Sequence, residues 1–122
     1  MLLNDFFHIS SIQNENSEVK AGIIFNKGHK IFEGHFPGQP VVPGVCMMQM
    51  IKEIMETVLS GKTNLTNVSE MKFLAIIDPV KNNRVDAILK YSIEENKIKV
   101  SASLMKKELI HFKFKGQFEM LV

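Results

Sequence analysis

The chain has 122 residues, of which 45% are apolar and 23% charged, and its formal net charge is +2. This length and composition indicate one globular domain over residues 1–122 and exclude a disordered or fibrous chain. The small charge and the spread of Lys and Arg along the chain argue against a nucleic-acid partner. No segment approaches the ~20 apolar residues that cross a bilayer, and residues 1–7 lack a basic leader. We therefore expect a soluble, cytoplasmic protein without membrane insertion.

Two strands and a loop are expected before the middle of the chain. Glu18–Phe25 begins with alternating apolar and polar residues, the pattern of a half-buried strand, and a shorter strand is expected at residues 7–13. Residues 14–17 supply the turn between them. Residues 27–44 hold four of the seven glycines and three of the four prolines, so no regular element is expected there. Apolar residues within this segment predict an ordered loop attached to the core.

A long helix is expected at residues 45–59, because this segment contains neither Pro nor Gly and ends at a Ser-Gly pair. Its first half, residues 45–51, is apolar on nearly every side and is expected to be buried all round, whereas Glu53 is expected on a solvated face. Cys46, the only cysteine, lies in the apolar half. We expect a buried hydrophobic residue there and not a nucleophile, and a single cysteine excludes an intramolecular disulfide.

Four further strands are expected after the helix, at residues 68–77, residues 84–93, Lys97–Lys106 and Leu109–Met120. Apolar and polar residues alternate well in the last three, which predicts an antiparallel sheet with one dry face. A long antiparallel sheet and one apolar helix cover each other when the sheet wraps around the helix. The predicted fold class is therefore α+β, with the hot-dog arrangement.

The segment from His35 to Gln49 carries the chemistry. It contains His-Phe-Pro-Gly at residues 35–38, Pro40, and Pro-Gly-Val at residues 43–45, directly before the helix. This order at fixed offsets resembles the active-site segment of the hot-dog 3-hydroxyacyl-acyl-carrier-protein dehydratases. The resemblance implies elimination of water from a 3-hydroxyacyl thioester to give a trans-2-enoyl thioester, without a cofactor.

Water elimination requires a base for the α-proton, a donor to the thioester oxygen and an acid for the departing hydroxide. His35 is the best candidate for the base, because an imidazole exchanges protons near neutral pH. The helix start offers unpaired N–H groups and a favourable dipole, so Gly44 and Val45 suit a thioester oxyanion. The resemblance assigns this role to Gly44, and Gly38 is expected among the substrate-binding residues.

Gln49 departs from the family pattern, because it stands where family members carry a catalytic Glu or Asp that acts on the 3-hydroxyl. An amide does not release a proton as a carboxylic acid does, although it can hydrogen-bond a hydroxyl or orient a water. Glu53 and Glu33 are the alternative acids. The family forms dimers in which the histidine of one subunit faces the acidic residue of the other. A homodimer is therefore expected here, with an acyl carrier protein and its phosphopantetheine-linked acyl chain as the partner.

Two other functions remain open. The first is a non-catalytic hot-dog subunit that binds an acyl carrier protein or pairs with an active paralogue, and the second is thioester hydrolysis. The remaining histidines, His8, His29 and His111, are weaker candidates, and none has the spacing of a metal site. Four methionines between residues 47 and 55 either line a tunnel for an acyl chain or fill the core.

Overall fold

A six-stranded sheet and one long helix dominate the computed structural model, which describes residues 1–121. The elements in chain order are β1 (Phe7–Glu15), β2 (Glu18–Phe25), α1 (Ile31–Gly34), α2 (Gly44–Leu59), β3 (Thr63–Phe73), β4 (Arg84–Glu94), β5 (Lys97–Lys106) and β6 (Leu109–Met120). The strands lie in the order β1-β2-β4-β5-β6-β3, and every neighbouring pair is antiparallel. The predicted antiparallel sheet and long helix are thus confirmed.

Tight turns fix the register of the hairpins. Between β1 and β2, Asn16 and Ser17 both have positive φ, at 53° and 60°. Two successive residues of this kind form the turn that matches the twist of paired strands. Glu95 and Lys107 have φ of 58° and 54° in the β4–β5 and β5–β6 turns. All three hairpin turns lie where the sequence predicts them.

The core lies between α2 and one face of the sheet. The helix contributes mostly apolar side chains to it, among them Met47, Met50 and Met55. Alternate residues of β2, β4 and β5 are buried, as in Val85, Ala87 and Leu89. A buried residue at every second position is the pattern of a sheet with one dry face. No helix within residues 1–121 is long and apolar enough to cross a membrane.

Three predicted boundaries or environments are wrong. One helical turn, Ile31–Gly34, interrupts the predicted loop, because Phe32 packs into the core there. Strand β3 covers Thr63–Phe73 and not residues 68–77. In the described part of the chain this strand pairs with β6 alone and is exposed along most of its length, so its sequence has no regular apolar alternation to mark its ends. Lastly, the start of α2 is not buried all round, since Val45 is 77% exposed.

Candidate active site at the start of the long helix

A tight turn shapes the loop that carries His35. The Gln39 N–H donates to the Phe36 carbonyl at 2.9 Å, and the Phe36 N–H donates to the Gln39 carbonyl at 3.0 Å. Pro37 and Gly38 occupy the two central positions, and Gly38 has a φ of 79°. Proline followed by a residue with positive φ is the combination of a type II turn, and glycine adopts that φ without strain. Gly38 therefore shapes the loop, and its contact with substrate stays a prediction.

His35 is held by its backbone and leaves its ring free. Its N–H donates to the Ile31 carbonyl at 3.1 Å, and its carbonyl accepts from the Val41 N–H at 2.8 Å. The exposed imidazole stacks on Phe36, with ring centroids 4.7 Å apart. Among residues 1–121, no hydrogen bond engages either ring nitrogen of His35. The imidazole is therefore open to a bound molecule, while its backbone is fixed.

The start of α2 presents two backbone donors. The helix begins at Gly44 after Pro43, whose carbonyl accepts from the Cys46 and Met47 N–H groups, each at 3.1 Å. Within the described residues, the N–H groups of Gly44 and Val45 have no acceptor. First-turn N–H groups and the helix dipole both favour a negatively charged oxygen. This geometry suits the oxyanion role expected for Gly44 and Val45.

An apolar cavity of about 410 Å³ lies beside this helix start. Its walls include Val41, Val42, Gly44, Met47, Phe73 and Ile76. Such a volume and lining suit part of an acyl chain. Phe73 falls within a predicted strand and is not among the predicted site residues, because its approach to Gly44 is long-range and no local pattern marks it.

Replacing Gly44 with alanine is expected to reduce the free energy of unfolding by about 1–2 kcal/mol, the usual cost of overpacking. A Cβ at Gly44 would lie 2.6 Å from Cε1 of Phe73, so the aromatic ring must move. Gly34→Ala is the matched control, since a Cβ there meets nothing within 4 Å. Denaturant unfolding measures both variants. Equal stabilities of the two would show that Phe73 does not restrict position 44.

Gln49 is hydrogen-bonded to the buried carboxylate of Glu53. Its Nε2 donates to Oε2 of Glu53 at 3.0 Å. Glu53 is 0% exposed and also accepts from the backbone N–H groups of Leu2, at 3.0 Å, and Leu3, at 2.7 Å. The prediction that Glu53 is solvated is therefore wrong. The N-terminal segment covers this side of α2, and helical periodicity does not reveal cover from a distant part of the chain.

The two candidate catalytic residues belong to separate contact networks. The contacts of His35 are with Ile31, Phe36 and Val41, whereas Gln49 is bonded to Glu53. No hydrogen bond joins His35 to Gln49 in residues 1–121. Within one chain, the free ring of His35 and the unpaired N–H groups at the start of α2 therefore have no hydrogen-bonded link to Gln49 in residues 1–121.

Comparison with known proteins identifies the family of this chain. A family model described as ApeI-like, for the ApeI dehydratase, matches residues 11–117. The chain belongs to the ApeI-like dehydratase family. The matched range contains the whole segment from His35 to Gln49, so the predicted dehydratase resemblance is confirmed at the level of the family.

Similar proteins include curated dehydratases and solved structures of the same fold. The curated 3-hydroxyacyl-[acyl-carrier-protein] dehydratase FabZ of Mannheimia succiniciproducens is 38% identical over 70 residues, which are 57% of this chain and 46% of that protein. The match thus spans less than half of the relative. The dehydratase heterocomplex ApeI:P from Xenorhabdus doucetiae has a TM-score of 0.73 at 17% identity, covering 91% of this chain and 96% of that chain. A putative thioesterase from Shewanella oneidensis has a TM-score of 0.57 at 9% identity, covering 95% and 83%. The structural similarity of these two proteins supports a shared hot-dog fold.

The other titratable candidates of this family member lie outside the site. Oδ2 of Asp5 lies 3.1 Å from Nε2 of His29, His8 is exposed on β1, and His111 is buried with Nδ1 3.2 Å from the Ala75 carbonyl. Burial raises the pKa of the Cys46 thiol, which keeps it protonated and agrees with the prediction of a buried, non-nucleophilic side chain. No group of three His, Cys, Asp or Glu residues within residues 1–121 is placed to hold a metal ion.

Proposed function

We propose that this protein eliminates water from a 3-hydroxyacyl thioester on acyl carrier protein, in the cytoplasm, to give a trans-2-enoyl thioester. The free His35 ring, on a loop that leads directly into unpaired N–H groups at the start of α2, carries this proposal. Membership of the ApeI-like dehydratase family and the partial match to a FabZ dehydratase support it. The hot-dog sheet, wrapped around α2, supplies a rigid base for the site.

The proposed reaction assigns one role to each group. His35 removes the proton next to the thioester carbonyl, and negative charge develops on the carbonyl oxygen. The N–H groups of Gly44 and Val45 stabilise that oxygen. The bond to the 3-hydroxyl then breaks, and the imidazolium of His35 returns its proton to the hydroxide, which leaves as water. Gln49 hydrogen-bonds the 3-hydroxyl but supplies no proton.

Purified protein given a 2-enoyl acyl carrier protein thioester is expected to hydrate it, because elimination is reversible. Loss of the conjugated-enoyl absorbance measures the reaction. Appearance of free carrier thiol without loss of the enoyl group would instead indicate thioester hydrolysis. Absence of both reactions would contradict an independent enzyme.

We further propose a homodimer that completes the site. Among residues 1–121, strand β3 pairs only with β6, so its other edge has unpaired backbone groups there. Exposed apolar side chains lie along it, including Met71 and Phe73. A long edge of this kind pairs readily with another strand, here the β3 of a second copy. The second copy is proposed to bring its Gln49 to the His35 ring.

Mixed dimers test this arrangement. Dimers of His35→Ala with Gln49→Ala contain one site with both changes and one intact site. If both parents are impaired, random mixing is expected to restore about a quarter of wild-type hydration, since about half of the dimers are mixed and each holds one intact site of two. Separate refolding of each parent is the control. No gain above the parents would contradict a site shared between subunits.

A non-catalytic subunit is the second candidate. The amide of Gln49 in place of a carboxylic acid favours it, and the similar structure from Xenorhabdus doucetiae is a dehydratase heterocomplex, ApeI:P. This alternative predicts no hydration by the protein alone and hydration after addition of an active paralogue. Hydration by the isolated protein would exclude it.

A further inference from the structure

The carboxylate of Glu53 is fully buried and receives three N–H groups. Its Oε1 accepts from the Leu3 N–H, and its Oε2 accepts from the Leu2 N–H and from Nε2 of Gln49. The two backbone donors come from a segment that is 50 or more residues away in the chain. They fix the carboxylate from a direction independent of α2, so its orientation does not depend on Gln49.

This contact determines which end of the Gln49 amide faces outward. A carboxylate only accepts hydrogen bonds, so the amide must present its NH₂ group to Glu53. The Oε1 atom of Gln49 then points away from Glu53. Gln49 lies four residues after Val45 and hence on the same face of α2, and this face is open at Val45. The amide oxygen is therefore offered as an acceptor on the open face of α2, where the proposed dimer would bring it to a ligand bound beside His35 of the other copy.

We infer that Glu53 is a positioning residue that turns Gln49 into a fixed hydrogen-bond acceptor, selective for an acyl chain with a 3-hydroxyl donor. This inference rests on the proposed function and adds how the 3-hydroxyl of its substrate is recognised. A 3-hydroxyl donates to Oε1 of Gln49, whereas a 3-oxo group has only acceptor oxygen and faces repulsion there. An unsubstituted acyl chain has no polar group at carbon 3, so its affinity reports the binding of the acyl chain alone.

The substitution Glu53→Gln separates positioning from simple anchoring of the N-terminal segment. We expect the amide oxygen at position 53 to keep the shorter bond, that from the Leu3 N–H at 2.7 Å, so that its NH₂ takes the place of Oε2 and donates to Oε1 of Gln49. The Gln49 amide then turns over and presents NH₂ to the ligand. The site would then accept a 3-oxo group as readily as a 3-hydroxyl. Glu56→Gln is the matched control, because Glu56 on the same helix accepts from Thr63 at 2.7 Å and has no bond to Gln49.

Binding of three probes tests the inference: 3-hydroxyoctanoyl, 3-oxooctanoyl and octanoyl pantetheine amides, whose amide link prevents turnover. Wild type and Glu56→Gln are expected to bind the hydroxy probe about 10-fold more tightly than the oxo probe, the effect of one hydrogen bond. In Glu53→Gln this ratio should fall to about one or reverse, with octanoyl affinity unchanged. The same substitution in a Gln49→Ala background should not alter the ratio. An unchanged ratio in Glu53→Gln, or equal weakening of all three probes, would overturn the inference.

Side-chain amide exchange in the wild-type protein gives a measurement that needs no folded Glu53 variant. The NH₂ protons of Gln49 are expected to exchange with water much more slowly than those of the exposed Gln39. Equal exchange would overturn the inference. If no probe binds to wild type, the proposed function fails, and the inference fails with it. If octanoyl binds but the hydroxy probe has no advantage, the inference alone fails.

Discussion

The substitution His35→Ala is expected to lower the rate of 2-enoyl thioester hydration by about 10²–10⁴-fold, the usual contribution of a positioned acid–base group. The ring of His35 has no hydrogen bond within residues 1–121 and stacks only on the exposed Phe36. Its removal therefore costs no buried contact, and the free energy of unfolding should change by less than about 0.5 kcal/mol. Activity falls while the fold remains.

Two comparisons make this result specific. His8 is also exposed but lies on β1, so His8→Ala should leave the hydration rate unchanged. Thermal unfolding of both variants should match that of wild type. Hydration by His35→Ala at the wild-type rate would show that another group removes and returns the proton.

The helix and the central strands follow from local sequence. The entry at Pro43-Gly44 and the left-handed Ser60, with φ of 54°, mark both ends of α2. The bounds of β5 and β6 agree with those predicted, because these strands pair on both sides and one face of each is buried. Strand β3 has one neighbour and little burial, so packing imposes no clear pattern on its sequence.

The features of the candidate site are also of two kinds, those that local sequence predicts and those that depend on long-range contacts. The turn at Gly38, the position of His35 and the start of α2 are local features, and the motif indicates each of them. The approach of Phe73 to Gly44 and the cover of Glu53 by Leu2 join distant parts of the chain. No spacing in the sequence records such contacts. The expectation of a solvated Glu53 is wrong because the backbone N–H groups of Leu2 and Leu3 bond its carboxylate and cover it.

The buried contact makes Gln49→Glu a sensitive test of the site. A carboxylate at position 49 would lie about 3 Å from the carboxylate of Glu53, where a hydrogen bond now exists. Like charges at this distance repel strongly in a buried setting, so we expect a loss of about 2–4 kcal/mol in the free energy of unfolding at neutral pH. The loss should shrink at acidic pH, because protonation of one carboxyl removes the repulsion.

The exchanged pair Gln49→Glu/Glu53→Gln should recover at least half of that loss. An amide at position 53 can donate to the new carboxylate, although the Leu2 N–H then faces an amide nitrogen and keeps part of the cost. The expected coupling free energy in a double-mutant cycle is about 2 kcal/mol, measured by denaturant unfolding. A coupling near zero would contradict the contact between the two side chains.

The rate of enoyl hydration by the double variant Gln49→Glu/Glu53→Gln distinguishes two sources of the proton for the departing hydroxide, residue 49 and His35. A carboxylic acid at position 49 restores the group that the family uses on the 3-hydroxyl, so a rate above that of wild type would mean that the amide limits elimination. If stability recovers and the rate does not rise, the proton for the departing hydroxide comes from His35 alone. In that case Gln49 recognises the hydroxyl without taking part in proton transfer.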